Sequence, residues 1–179
     1  AVTMRKVAEQ ADVSTRTLYN HYPDKLSLFI ACLDFGAQAF PEPIPRPGEE
    51  PAALLRRYAA ALVTTLSTDS SLRLGMLIYR EGAEFPELLE VGNANRVRYV
   101  NEPLATYLRS IGLERPGEDI NTTMFLALVM ADWQRRVSYR WPLPNPDEIE
   151  RQVARAVTIF LEGGAATMAD AYARVSGQP

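Results

Sequence analysis

Apolar residues in this chain recur at three- and four-residue intervals almost from end to end, a spacing that leaves little to fold into except packed helices. Met4, Val7, Ala8 and Ala11 form one such stripe, and Leu26, Phe29, Ile30 and Leu33 form another. No run of strict apolar and polar alternation is bounded by the Asn-Gly or Asp-Gly turns that would mark hairpins. The expected class is all-α.

Prolines divide the chain. Pro41, Pro43, Pro45, Pro47 and Pro51, with Gly48 among them, remove backbone donors and push the preceding residues out of the helical region, so this stretch reads as a connector. The expected organisation is a small helical module over residues 1–36, a connector over 37–51 and a larger helical bundle over 52–179. Within the bundle, Leu54, Leu55, Tyr58, Ala61, Leu62 and Leu66 mark one helix and Leu72, Met76, Leu77 and Tyr79 the next. A long helix is expected from about Glu87 to Arg109, kinked or interrupted at Pro103, and another over roughly Ile120 to Arg136. After the loop at Pro142, Pro144 and Pro146, the stripe Ile149, Val153, Ala156, Val157 and Phe160 predicts a last helix ending near Gly163-Gly164. Antiparallel packing of these helices is the simplest arrangement.

At 179 residues and 47% hydrophobic, the chain has ample material for a core. Its greasiest run, Met124 to Ala131, is closed by Asp132, well short of the roughly 18 residues a membrane span needs. The start of the chain shows no basic, apolar and cleavage-site pattern, and the single Cys32 cannot form an internal disulfide, so a cytoplasmic protein is expected. A net charge of -3 argues against coating nucleic acid along the whole surface. Any DNA contact must be local. In the first module Arg5, Lys6, Arg16 and Lys25 stand against Glu9, Asp12, Asp24 and Asp34, a balanced set.

That module nevertheless has the layout of a DNA reader. Ala11-Asp12-Val13-Ser14 reads as a turn in which Val13 plugs the junction and Ser14 caps the next helix. The first turn of that helix presents Thr15, Arg16 and Thr17, where the recognition helix of a helix-turn-helix meets base edges. Leu18 and Tyr22 are spaced to face inward. Tyr19, Asn20 and His21 then lie outward within reach of phosphates, and Arg16 can pair bidentately with guanine. Asp24 caps the following helix, whose start would join Lys25 in a further phosphate site.

The whole run from Thr3 to Lys25 resembles the DNA-binding signature of the TetR family of regulators. The resemblance implies DNA contacts from Thr3, Thr15, Arg16, Thr17, Tyr19, His21 and Lys25, and Ser14 and Asn20, placed beside them by the reading of the residues, complete the expected DNA-contacting set. Two positions differ from the family's usual pattern: Tyr22 replaces a Phe, and Asp12 replaces a Gly, which asks Asp12 for a left-handed backbone. The family also places a helix before this run, whereas this sequence begins almost at Thr3; the alternatives are a sequence holding only the ordered residues and a truncated protein, and the first is the expectation.

Beyond Pro51 the resemblance is looser, carried by Leu72-Arg73-Leu74 through Glu81 and by Phe85-Pro86-Glu87-Leu88, which look like the AcrR-type branch. It implies a homodimer whose helical bundle binds a small-molecule effector and whose two heads bind double-stranded operator DNA, with no membrane partner. A dimer face is expected on Leu126, Val129 and Met130, within a run apolar all round, and on Ala154, Val157, Thr158 and Leu161. The expected effector wall is Leu62, Met76, Tyr99, Tyr107, Phe125 and Trp133.

An enzyme is not expected. One His and one Cys supply neither a multi-histidine metal set nor a triad, no phosphate-cradling glycine motif is present, and no cofactor is implied. Glu81 and Glu84 form a helical acidic pair that burial could perturb, but an exposed polar face is the simpler reading. The alternative to a ligand-responsive repressor is a helical ligand-binding or adaptor dimer whose reader no longer functions.

Overall fold

The computed structural model describes residues 3–175, with side chains as far as residue 163, and contains no strand among them. Its helices are α1 (Met4–Gln10), α2 (Thr15–His21), α3 (Lys25–Ala37), α4 (Pro51–Leu66), α5 (Asp69–Glu81), α6 (Glu87–Arg96), α7 (Glu102–Ser110), α8 (Ile120–Tyr139) and α9 (Pro146–Val175). A π-helical turn, Val97–Asn101, joins α6 to α7. Pro103 explains this interruption: it has no N–H to give to the preceding turn, and the ladder shifts register just before it.

The chain sorts into two compact units that do not follow its linear order. The segment up to Ala39 joins Asp69–Arg96 in one, and Phe40–Thr68 joins Val97 onward in the other. The bundle expected over 52–179 therefore gives up α5 and α6, which pack on α3. The reason is apolar surface. Phe29 and Leu33 of α3 meet Leu88 of α6, which is fully buried, with Leu74, Leu77, Ile78 and Phe85 packed around them. The rings of Phe29 and Phe85 meet edge to face at 6.3 Å. The α5 stripe expected at Leu72, Met76, Leu77 and Tyr79 is corrected: Met76 is 64% and Tyr79 86% exposed, and α5 turns Leu74, Leu77 and Ile78 inward.

In the second unit α9 packs on α4 and α8. Leu54, Leu55, Tyr58, Leu62, Leu104, Leu108, Phe125, Val129, Val153 and Val157 form one continuous core. Phe125 and Phe160 meet edge to face at 5.1 Å. The connector runs without helix to Pro51, which begins α4. Arg57 ties the connector down, its guanidinium donating to both oxygens of Glu49 at 2.9 and 2.7 Å and to the Ile44 carbonyl at 2.9 Å. That fork holds the Glu49 carboxyl at about 2.

α8 ends at Arg140, whose φ of 55° is a left-handed cap. α9 begins with a reciprocal box: the Asn145 side chain accepts from the Glu148 N–H at 3.0 Å, and Glu148 accepts from the Asn145 N–H at 2.9 Å. The end expected at Gly163-Gly164 is also corrected, since α9 continues through both glycines. Each costs a helix about 1 kcal/mol relative to Ala, and that weakens a helix without stopping it.

Candidate nucleic-acid interface

The site begins with three helix caps. The Thr3 hydroxyl accepts from the Lys6 N–H at 3.3 Å to start α1, and Ser14 accepts from the Thr17 N–H at 3.0 Å to start α2. Asp24 accepts from the Ser27 N–H at 2.7 Å and the Ser27 hydroxyl at 2.6 Å to start α3. These bonds from Ser27 hold the Asp24 carboxyl below its ordinary range. Between α1 and α2 the chain turns through Asp12, whose φ of 53° is the left-handed conformation that the glycine-like position demands.

One small core fixes the angle between the helices. Met4, Ala8 and Leu18 are buried together, with Val7, Tyr22 and Leu28 packed around them. Leu18 and Tyr22 thus face inward as their spacing predicts. Val13 does not plug the junction: it is 40% exposed, because Ala8 and Leu18 already fill that space.

With that face buried, the opposite face of α2 is exposed. Thr15, Arg16, Thr17, Tyr19, Asn20 and His21 all lie on the outside, with Thr3 and Ser14 exposed at the two helix starts. The Thr17 hydroxyl is also within 2.8 Å of the Ser14 hydroxyl, so these two candidates support one another. Such a face offers hydroxyls, a guanidinium, an amide and an imidazole, the donor types that read base edges and phosphates.

Lys25 and the start of α3 differ from expectation. The Asp24 carboxylate occupies the helix start that was to share a phosphate site with Lys25. The Lys25 ammonium lies 2.9 Å from Glu81 Oε2. Glu81 also accepts from Arg80, and together the two cations draw its carboxyl below the ordinary range. It is therefore an ion-pair partner of the reader rather than half of an exposed acidic face, and only its tertiary position reveals this.

Of the residues expected to line an effector pocket, Leu62, Tyr107, Phe125 and Trp133 belong to one packed cluster, whereas Met76 and Tyr99 stand outside it. Leu62 and Phe125 are closed into the core of the second unit, and Tyr107 is nearly so. Met76 is exposed and belongs to the first unit. Tyr99 is half-buried beneath the Arg98 guanidinium, 5.2 Å above its ring. Trp133 is half-buried, and its indole Nε1 is buried without a hydrogen-bond partner in the protein. A groove of about 480 Å³ lies between connector residues Glu42, Pro43, Ile44 and Pro45 and the α7 side that carries Glu102 and Tyr107; of the expected pocket residues it takes only Tyr107.

The expected dimer face also needs correction. Val129, Met130 and Val157 are buried in their own unit's core and closed to a partner, whereas Leu126 and Leu161 pack against that core half-buried. Ala154 is half-buried and Thr158 exposed. Among the described residues, Ile120, Met124, Ala127, Ala131 and Tyr139 of α8 and Ile159 of α9 face outward. A helix that is apolar on all sides does not announce which side its own bundle will cover.

A short capped helix, crossed by a second across a tight turn and presenting a polar exposed face, defines a helix-turn-helix DNA-binding regulator. Residues 1–32 match the family described as bacterial regulatory proteins, tetR family, and residues 53–163 match the C-terminal domain of AefR-like transcriptional repressors. The chain belongs to the TetR family of transcriptional regulators, whose members are transcription factors and not enzymes.

Solved structures agree. A TetR family transcriptional regulator from Pseudomonas syringae pv. tomato str. DC3000 is 25% identical, with a TM-score of 0.69 over 90% of this chain and 84% of its own. A protein from Mesorhizobium loti MAFF303099 assigned to the same family is 18% identical, with a TM-score of 0.67 over 90% of this chain and 85% of its own, a likeness of fold. No curated protein matches the chain. No helix among the described residues is long and apolar enough to cross a membrane.

Proposed function

We propose that this regulator is a cytoplasmic, ligand-responsive repressor that binds a palindromic operator as a homodimer. The observation that carries the reading is the exposed first turn of α2, Thr15, Arg16 and Thr17, held in place by the Ser14 cap. In this reading Arg16 pairs with guanine in the major groove. Thr3, Ser14, Tyr19, Asn20, His21 and Lys25 fix the register through phosphates.

A second copy docks on the outward face of α8 and α9, where Met124, Ala127, Ala131, Thr158 and Ile159 need cover. Dimerisation sets the two reading heads about 34 Å apart, one turn of DNA. The effector is a small amphipathic molecule carrying a hydrogen-bond acceptor for the Trp133 indole N–H. Its binding favours a head spacing that fits the operator poorly, and by linkage DNA weakens its binding by the same factor.

The test is selection from a pool of random duplexes near physiological salt, followed by sequencing. Enrichment of an inverted repeat supports the reading, whereas no enrichment replaces it with a ligand-binding or adaptor dimer whose reader is silent.

A further inference from the structure

Lys25 stands where a phosphate contact is proposed, yet its charge is already engaged. Its Nζ donates to Glu81 Oε2 at 2.9 Å and lies 4.9 Å from the Phe29 ring centroid and 5.7 Å from that of Phe85. The Lys25 side chain is 27% exposed and that of Glu81 13%. Two aromatic rings and a carboxylate thus cradle the ammonium, and the apolar wall strengthens the pair by keeping water from one side of it. With a carboxylate at hydrogen-bond distance, the field of Lys25 at a neighbouring phosphate is largely cancelled.

We infer that Glu81 is a latch that withholds Lys25 from the DNA backbone: binding DNA requires Lys25 to exchange the Glu81 carboxylate for a phosphate. The exchange does not strand a charge. Glu81 Oε1 accepts from Arg80 Nε at 3.2 Å and Nη2 at 3.1 Å, so the carboxylate keeps a partner when Lys25 leaves. Lys25 sits in the first turn of α3 and Glu81 at the last residue of α5, so any shift between these helices changes the charge offered to DNA. By reciprocity, DNA that captures Lys25 loosens the tie between α3 and α5.

The inference rests on Lys25 being a phosphate contact, and the test separates the two ideas. Binding to a fluorescein-labelled duplex of mixed sequence is measured by anisotropy across a range of salt concentrations, because non-specific affinity is almost wholly electrostatic. Glu81→Gln keeps hydrogen-bonding capacity and removes the competing charge. It should bind roughly three- to fivefold more tightly, the factor that breaking a partly exposed ion pair is worth. Its log-log salt slope should steepen by up to about 0.9 per head.

Glu81→Asp keeps the net charge but draws the carboxylate back by one methylene, and should also bind more tightly, though less so than Glu81→Gln. Lys25→Met should bind more weakly than wild type, and Lys25→Met/Glu81→Gln should match Lys25→Met alone. If Lys25→Met weakens binding but neither Glu81 variant tightens it, the latch is wrong and the phosphate contact stands. Tightening by Glu81→Gln that persists undiminished without Lys25 also overturns the latch, since it would come from the general loss of an acid. If Lys25→Met binds like wild type, the phosphate contact fails and the latch with it.

Discussion

Ser14 is both a candidate DNA contact and the cap of the reading helix, and a pair of substitutions separates these roles. Its hydroxyl accepts from the Thr17 N–H at 3.0 Å, satisfying one of the donors that the first turn of α2 leaves open. With only seven residues, α2 is far below the length at which an isolated helix holds itself together, so each terminal bond matters. Ser14→Ala should cost about 1 kcal/mol. For a chain of this length that lowers the melting temperature by roughly 2–4 °C.

Ser14→Asp should behave differently, because a carboxylate caps as well as a hydroxyl and adds a favourable charge at the helix N-terminus. Its melting temperature should equal or exceed that of wild type, while its affinity for duplex DNA falls, most steeply at low salt, because the new charge faces phosphates. Circular dichroism melts and anisotropy on the same preparations read both quantities. If Ser14→Ala melts with wild type, or Ser14→Asp melts below Ser14→Ala, the capping argument is refuted.

Arg16→Ala should cost about 1–3 kcal/mol at one operator base pair, and equal losses on operator and scrambled duplexes would show that Arg16 does not read bases. Phe125→Ala empties a fully buried site facing Phe160 and should cost about 3–5 kcal/mol, read as a lower urea midpoint with unchanged m; a loss below about 1 kcal/mol would contradict the packing. Glu49 is held at about 2 against an ordinary 4.5, so the stability it contributes is present above pH 4.5 and lost as pH falls toward about 2. Arg57→Met should therefore flatten the acid-induced loss of stability in that window, and an unchanged slope there would remove Arg57 as the cause.

Much of the reader was legible in the residues because its determinants are local. The caps at Ser14 and Asp24 act on N–H groups three residues on, the left-handed turn at Asp12 is a property of one residue, and Leu18 faces inward with Met4 and Ala8 across a short turn. The interruption before Pro103 is local too, since it follows from one missing N–H.

What tertiary structure alone decided is which side of each helix is covered, and by what. α5 carries Leu72, Leu74, Met76, Leu77, Ile78 and Tyr79 around most of its circumference, so helical periodicity cannot choose a face; packing against α3 and α6 chose Leu74, Leu77 and Ile78. On α8 and α9 the same ambiguity sent Val129 and Val157 into the core and left Met124 and Ile159 outside. Lys25 and Glu81 pair across 56 positions of sequence, and no local rule joins them. Capping and turn chemistry are settled within a few residues of chain, whereas burial and ion pairing depend on the neighbour that folding brings alongside.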